Sequence, residues 1–263
     1  MVSFVPVSRD RHADKRWIST GRYDFARTMA VAPVSGDELS MASREMVCAF
    51  IKAEDRFTLV AMLGFKPDMN LFVAPDGHWI GNYTPAFLRA YPFRFAKLQG
   101  QENLALVIDE DTGLSSEGEP FFGEDGNPTP RLSQFVEFLT RIEQGRQKTD
   151  EVVKAMADAG IIEEWPLTIQ GDGGKEQKIA GLYRVSEQKL NQLDDETFLK
   201  LRRLQALPIA YMQLLSMRNI DTLGKLAKVH GEVAQKQAEE AAQLLPEDRK
   251  TGELDIDWSQ FNG

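Results

Sequence analysis

The chain has one cysteine, Cys48, and three histidines, at positions 12, 78 and 230. A single thiol excludes a disulfide within the chain and any metal site built on several cysteines. Three histidines this far apart do not form an H-E-x-x-H zinc pattern. A site joining His78 to Asp109 and Glu110 is weighed and set below solvated turn carboxylates. No apolar run approaches the roughly 20 residues that span a bilayer. The first residues, MVSFVPVSRDRHADKRW, are too polar for a secretory signal, so cytoplasmic residence is expected, with export by a route that needs no cleavable signal left open. Basic residues are in deficit: 31 Lys and Arg stand against 40 Asp and Glu, for a net charge of −9. That balance disfavours attraction to phosphate backbones and anionic lipid, and no nucleic-acid partner is expected. Arg89 and Arg94 flank Tyr91, but two arginines do not make a nucleic-acid surface.

The motifs that announce common chemistry are missing too. There is no G-x-S-x-G elbow, no G-x-x-x-x-G-K-[ST] loop and no G-x-G-x-x-G after a strand. Gly171–Gly174 reads as a hairpin turn rather than a phosphate cradle. The acidic stretches Asp109–Asp111 and Glu117–Asp125 lack the residue order of a calcium loop. Cys48 reads as a buried, inert thiol on an amphipathic helix. No metal, no cofactor and no catalytic residue is assigned.

What the chain does have is 42% hydrophobic residues, enough for a sizeable core, and mixed secondary-structure signals. Asp37–Phe50 reads as a helix and Phe57–Phe65 as a buried strand. Asn70–Ala74 and His78–Gly81 flank Pro75-Asp76-Gly77, a hairpin signal in which proline presets φ and glycine accepts φ > 0. Thr84–Tyr91 reads as a short helix, and Arg94–Leu98 and Leu104–Ile108 as strands. Pro130–Gly145 and Lys148–Ala159 read as two helices, the first ending near Gly145. Glu164–Ile169 and Gln177–Val185 read as hairpin strands. Helices are expected over Ser186–Gln192, Asp194–Leu204, Ala206–Met217 and from Asp221 to about Leu245. The order predicts an α+β fold: a mixed, mainly antiparallel sheet with helices packed on it and a helix-rich C-terminal third. One domain is expected over residues 1–245, followed by an acidic tail, 246–263. From His230 onward eight acids face three bases, contributing −5 of the net charge. Trp258 and Phe261 in that tail suggest a docking arm for a homo-oligomer, against the plainer reading of a packed terminus.

Asn70–Phe93, NLFVAPDGHWIGNYTPAFLRAYPF, is the densest segment. It holds six aromatics in 24 residues, against 9% aromatic overall. On a helix from Thr84, Phe87 and Tyr91 share a face and Arg89 points elsewhere. Trp79 is then expected to pack on Phe87 and Tyr91, with Arg89 or Arg94 stacked on an aromatic or paired with Asp109 or Glu110. Two readings follow: an aromatic core corner, which is preferred, or a pocket. In the pocket Trp79, Tyr83 and Tyr91 supply faces and Arg89 fixes an anion.

These residues, in this order, resemble the bacterial SapC family, named for an association with surface-layer gene clusters. Its central pattern reads N-L-F-V, a D-G turn, W, then P-A-x-x-R-x-Y-P-F. Here that is Asn70–Val73, Asp76-Gly77, Trp79 and Pro85–Phe93. The resemblance extends to Ile108-Asp109-Glu110, Leu182–Val185, Phe198–Leu204 and Tyr211–Ser216, spanning about residues 30–220. The family's more basic N-terminal segment is not matched, and the acidic tail is individual. The resemblance implies a shared fold and carries over no catalytic residue. The missing catalytic motifs, taken with the family's surface-layer link, lead to the expectation of a noncatalytic binding or accessory protein for a protein, peptide or small ligand, tied to making or modifying surface-exposed products. Two alternatives stand beside it: a structural subunit of a surface-layer-like homo-oligomer, and an enzyme with a pocket at His78, Tyr83, Arg89 and Asp109.

Overall fold

A computed structural model describes residues 4–19, 21–98, 100, 103–170 and 176–244. The chain begins with β1 (Phe4–Pro6), α1 (Arg9–His12), β2 (Arg16–Trp17), β3 (Val31–Pro33) and α2 (Leu39–Ala42). There follow β4 (Val47–Ala53), β5 (Arg56–Met62), α3 (Ala86–Arg89), β6 (Phe93–Lys97) and β7 (Leu104–Asp109). Next come α4 (Glu110–Gly113), β8 (Glu119–Pro120), α5 (Pro130–Asp158), β9 (Ile162–Glu164), β10 (Leu167–Gln170) and β11 (Glu176–Ile179). The rest is β12 (Leu182–Val185), α6 (Glu187–Asn191), α7 (Asp195–Arg203), α8 (Ala206–Ser216) and α9 (Ile220–Leu244). The fold is α+β.

A five-stranded antiparallel sheet runs β3-β5-β4-β12-β9. A three-stranded antiparallel sheet runs β1-β7-β6, and two ribbons pair β10 with β11 and β2 with β8. Helix α5 serves both larger sheets. Thr129 caps it, its hydroxyl accepting from Leu132 N at 3.3 Å, and Pro130 occupies the first position, where no N–H is needed. Over 29 residues it is about 44 Å long. Leu132 and Leu139 on its first half join Trp17, Phe93, Ile108 and Phe121 in an aromatic core above the small sheet. Its second half packs on β5. Helix α8 packs on β4 and β12 and also touches α5.

The described chain falls into two compact units that divide between Leu223 and Gly224, within α9. Among the described residues no helix is long and apolar enough to cross a membrane. The expected Gly171–Gly174 turn and the acidic tail with Trp258 and Phe261 lie outside the described residues.

Several expected elements differ in instructive ways. The helix over Asp37–Phe50 is in fact one turn, α2, followed by strand β4. Val47–Phe50 are buried on both faces of the sheet, so the strand lacks the alternation that marks a half-exposed one. Cys48 therefore lies on a strand, opposite Ala61, and not on a helix. The two helices around Gly145 are one. Gly145 is buried where a Cβ would meet the Asp37 carboxylate at 3.1 Å and Ser35 at 3.4 Å. The glycine lets that loop approach and does not end the helix. Its carbonyl accepts from the Thr149 hydroxyl at 2.7 Å, and that oxygen in turn accepts from Gly36 N at 2.8 Å. Each strand of the later hairpin is broken in two. Trp165-Pro166 separates β9 from β10, and Ala180-Gly181, with Gly181 at φ +81, separates β11 from β12.

Candidate functional site

Asn70–Phe93 folds as a turn with a very short ladder. Gly77, at φ +88, closes the expected turn with its N–H on the Ala74 carbonyl, and Ala74 N–H bonds the His78 carbonyl. Pairing reaches only the Val73–Trp79 bridge and the Ile80 N–H to Phe72 carbonyl bond. Buried Asn70 fastens the start: its amide donates to the Ala26 carbonyl and its oxygen accepts from Phe72 N, both at 2.9 Å.

Glu38 fastens the other end. One carboxylate oxygen accepts from the Tyr83 hydroxyl at 2.6 Å and from Ala86 N at 2.8 Å; the other accepts from Ser35 N at 2.9 Å. Ala86 opens α3, so this anion meets an orphan N–H at a helix start. Burial and the adjacent Glu38 push the Tyr83 phenol well above its usual range.

The four residues singled out in the sequence take different positions. Trp79 stacks on Phe72 at 5.3 Å, meets Tyr23 at 5.4 Å and donates its indole N–H to the Tyr83 carbonyl at 2.9 Å. Its ring partners are thus Phe72 and Tyr23 rather than the expected Phe87 and Tyr91. Tyr83 ends on Glu38. Arg89 lies between the Tyr83 and Phe138 rings, at 5.6 and 5.3 Å, and donates to the Thr84 carbonyl. Tyr91 stacks face to face on Phe25 at 3.7 Å, and its hydroxyl contacts Asp109 and Thr112. Burial, then the Asp109 carboxylate, pushes that phenol up to about 12.

Neither Arg89 nor Arg94 pairs with the expected acids. Glu110 is held by Arg11 at 2.6 Å and Lys15 at 2.8 Å, with the buried His12 ring 3.1 Å away. Arg94 lies 3.6 Å over the Phe4 ring. The enzyme constellation also disperses: His78 is exposed at the turn beside Asp76, Tyr83 meets Glu38, and Asp109 is buried beneath Tyr91. Buried Cys48, its thiol pushed up to about 12 chiefly by burial, has none of the exposure or charge that activates a nucleophile. Among the described residues no three metal-ligating side chains converge.

The concave feature beside this segment is a groove of about 570 Å³ next to β6. That is within the usual range for ligand sites. Its lining includes Tyr91, Phe25, Phe87 and Met29, the Arg94–Phe4 pair, and Leu139, Ile142 and Arg146 of α5. Phe87 is 39% exposed, so part of this apolar wall faces water. Of the four sequence-derived candidates only Tyr91 lines it; Arg89 faces a shallower hollow with Arg131 and Phe138. Phe4, Phe25, Met29 and Arg146 were not singled out in the sequence. Phe4, Phe25 and Met29 come from an N-terminal segment that reads as irregular apart from a short strand at Phe4–Val7, Arg146 falls in the break expected between two helices, and only folding assembles them. A second depression, about 550 Å³, lies beside α8, but there Arg184 and Lys189 both turn to Glu163, at 3.3 and 3.6 Å.

No curated protein and no solved structure gives a significant match to this chain. One family profile does match, that of SapC, over residues 7–223. It takes in the Asn70–Phe93 segment, Glu38 and every groove residue named above except Phe4. Because that span covers most of the 263 residues, the chain belongs to the SapC family.

Proposed function

We propose that this chain is a noncatalytic binding or accessory protein and that the groove beside β6 is its recognition element. The observation that carries this reading is the apolar groove itself, roomy and aromatic-walled, with its exposed Phe87. Aromatic walls supply large contact area at low conformational cost. In this reading Tyr91 contacts the ligand. Trp79, Tyr83 and Arg89 act one step back, holding α3 and its flanks so that Phe87 and Tyr91 keep their places. The family's surface-layer association is the reason for assigning the bound partner to the making or modification of surface-exposed products.

Nile red, a neutral apolar dye that brightens on leaving water, tests the groove directly. Wild type should give a saturable response. Ala96→Trp, which fills the groove, and Phe87→Ala, which strips a wall, should each weaken it about tenfold, equivalent to burying roughly 1.4 kcal/mol less apolar contact. Circular dichroism should show both variants folded. An undiminished dye response in both would remove the groove as the binding element.

A further inference from the structure

Strand β6 is an edge: the small sheet runs β1-β7-β6. The hydrogen bonds of β7 reveal which backbone groups of β6 face outward. In an antiparallel ladder the N–H and C=O of one residue point to the same side, and the side alternates along the strand. Leu106 accepts from Val7 N at 2.9 Å, so its backbone groups turn toward β1. Phe95 lies opposite Leu106 and therefore turns its N–H and C=O away from β7. Lys97, opposite Leu104, does the same. The other parity agrees: Asp109 N–H reaches back to the Pro92 carbonyl at 3.0 Å. Phe93 shares the outward parity, and its N–H is taken by the Ala90 carbonyl at 2.9 Å. Past that point, among the described residues, no backbone partner meets the outward groups of Phe95 and Lys97.

The groove follows this open edge. Phe93, Arg94, Phe95 and Ala96 all line it, although neighbours on a pleated strand point to opposite faces. A cavity on one face would touch alternate residues only. Phe93 and Phe95 belong to the side covered by α5, where Leu139 sits. Arg94 and Phe4 mark the other side. Arg146 has its charge met by Glu143 at 2.7 Å and Asp150 at 2.5 Å. Arg94 has no acid within ion-pair distance among the described residues, in a chain of net charge −9.

We infer that the groove takes an extended peptide that adds to β6 as a fourth strand, with acidic residues on the Arg94 side alternating with apolar residues on the α5 side. This rests on the groove reading above and names its occupant. An alkyl chain would fill the apolar walls but leave the outward N–H and C=O groups of Phe95 and Lys97 unmatched. A strand supplies both donors and acceptors at that edge, and its two-residue period separates the charge for Arg94 from the apolar side chains for α5.

The test uses the full chain and fluorescein-labelled hexapeptides read by anisotropy. One alternates leucine with glutamate, one leucine with lysine, and one is the glutamate peptide N-methylated at every second nitrogen. The glutamate peptide should bind, and N-methylation should weaken it at least tenfold. Lys97→Pro deletes one outward N–H without touching the ladder to β7, a placement that edge strands tolerate. It should weaken binding about tenfold, while Lys97→Ala, which keeps the N–H, stays within twofold. Arg94→Glu should reverse the preference toward the lysine peptide. Equal binding of the glutamate peptide and its N-methylated form to wild type overturns the proposal, and needs no variant to fold. A concentration-dependent dimer in sedimentation that Lys97→Pro abolishes also overturns it, since the occupant is then a second copy. If Nile red binds in the groove but no peptide does, the peptide falls and the groove reading stands; if neither binds, both fall.

Discussion

Gln213 is a buried residue whose loss should weaken the large sheet. Strands β4 and β12 pair at Leu182–Ile51 and Tyr183–Phe50, and the same register carried on would set Val185 opposite Cys48. No backbone bond joins those two. Instead the Gln213 side chain, fully buried on α8, spans the gap: its oxygen accepts from Val185 N at 2.9 Å and its amide donates to the Cys48 carbonyl at 3.0 Å. Gln213→Leu keeps the volume and removes both bonds. Each buried backbone group left without a partner costs about 1–3 kcal/mol, or roughly 2–6 for the pair. The Ser216 hydroxyl lies 3.4 Å from the Cys48 carbonyl, but its one proton serves the Gln213 backbone carbonyl at 2.6 Å, so the full loss of about 2–6 kcal/mol is expected. Urea denaturation followed by tryptophan fluorescence measures it. Leu215→Gln, on the same helix but 66% exposed, serves as the control and should stay within about 0.5 kcal/mol. A Gln213→Leu loss below about 1 kcal/mol at unchanged denaturant slope would refute the idea that this amide replaces a rung of the ladder.

Two further outcomes follow from titratable groups. Glu110, its carboxylate 17% exposed, is depressed from 4.5 to about 2, chiefly by its hydrogen bonds from Arg11 and Lys15. A depressed carboxylate stabilises above its unfolded value and loses that contribution as pH falls through its folded one. Stability should therefore decline from about pH 4.5 toward pH 2, and Glu110→Gln should flatten that limb in acid denaturation; an unchanged limb would count against the pairing. Buried Cys48, pushed up to about 12, should resist thiol reagents at pH 8 in the native protein and react stoichiometrically in urea. Rapid native labelling would contradict its place on β4.

Strand β5 was legible because the near-continuous apolar run Phe57–Phe65 is bounded by Asp55-Arg56 and Lys66-Pro67-Asp68. β6 and β7 lie where strands were expected, over Arg94–Leu98 and Leu104–Ile108, and the Pro75-Asp76-Gly77 turn was legible because φ at Gly77 needs a glycine. β4 was not, since a strand buried on both faces carries no two-residue period to set against a helical one. The break expected at Gly145 failed because glycine there serves close packing against Ser35 and Asp37, a tertiary reason that no local pattern records. The groove was the least legible part. Phe25, Met29, Leu139 and Arg146 lie over a hundred residues of chain, and each looks ordinary where it stands.

The aromatic density of Asn70–Phe93 thus reports something other than a ready-made pocket. Its rings go three ways. Phe72 and Trp79 pack with Tyr23, and Tyr83 turns to Glu38 and Arg89. Phe93 enters the core with Trp17 and Phe121. Only Phe87 and Tyr91 are left to face the groove alongside it. A turn and one helical turn cannot hold two large rings at an open surface by local forces alone, because a four-residue helix is far below the length at which helices persist in water. The segment therefore needs anchors on both sides. Asn70 on the Ala26 carbonyl and Glu38 on Ala86 N provide them, and both reach to parts of the chain more than forty residues away. On that argument Glu38 and Asn70 matter to the groove as much as the residues that wall it, although neither lines it.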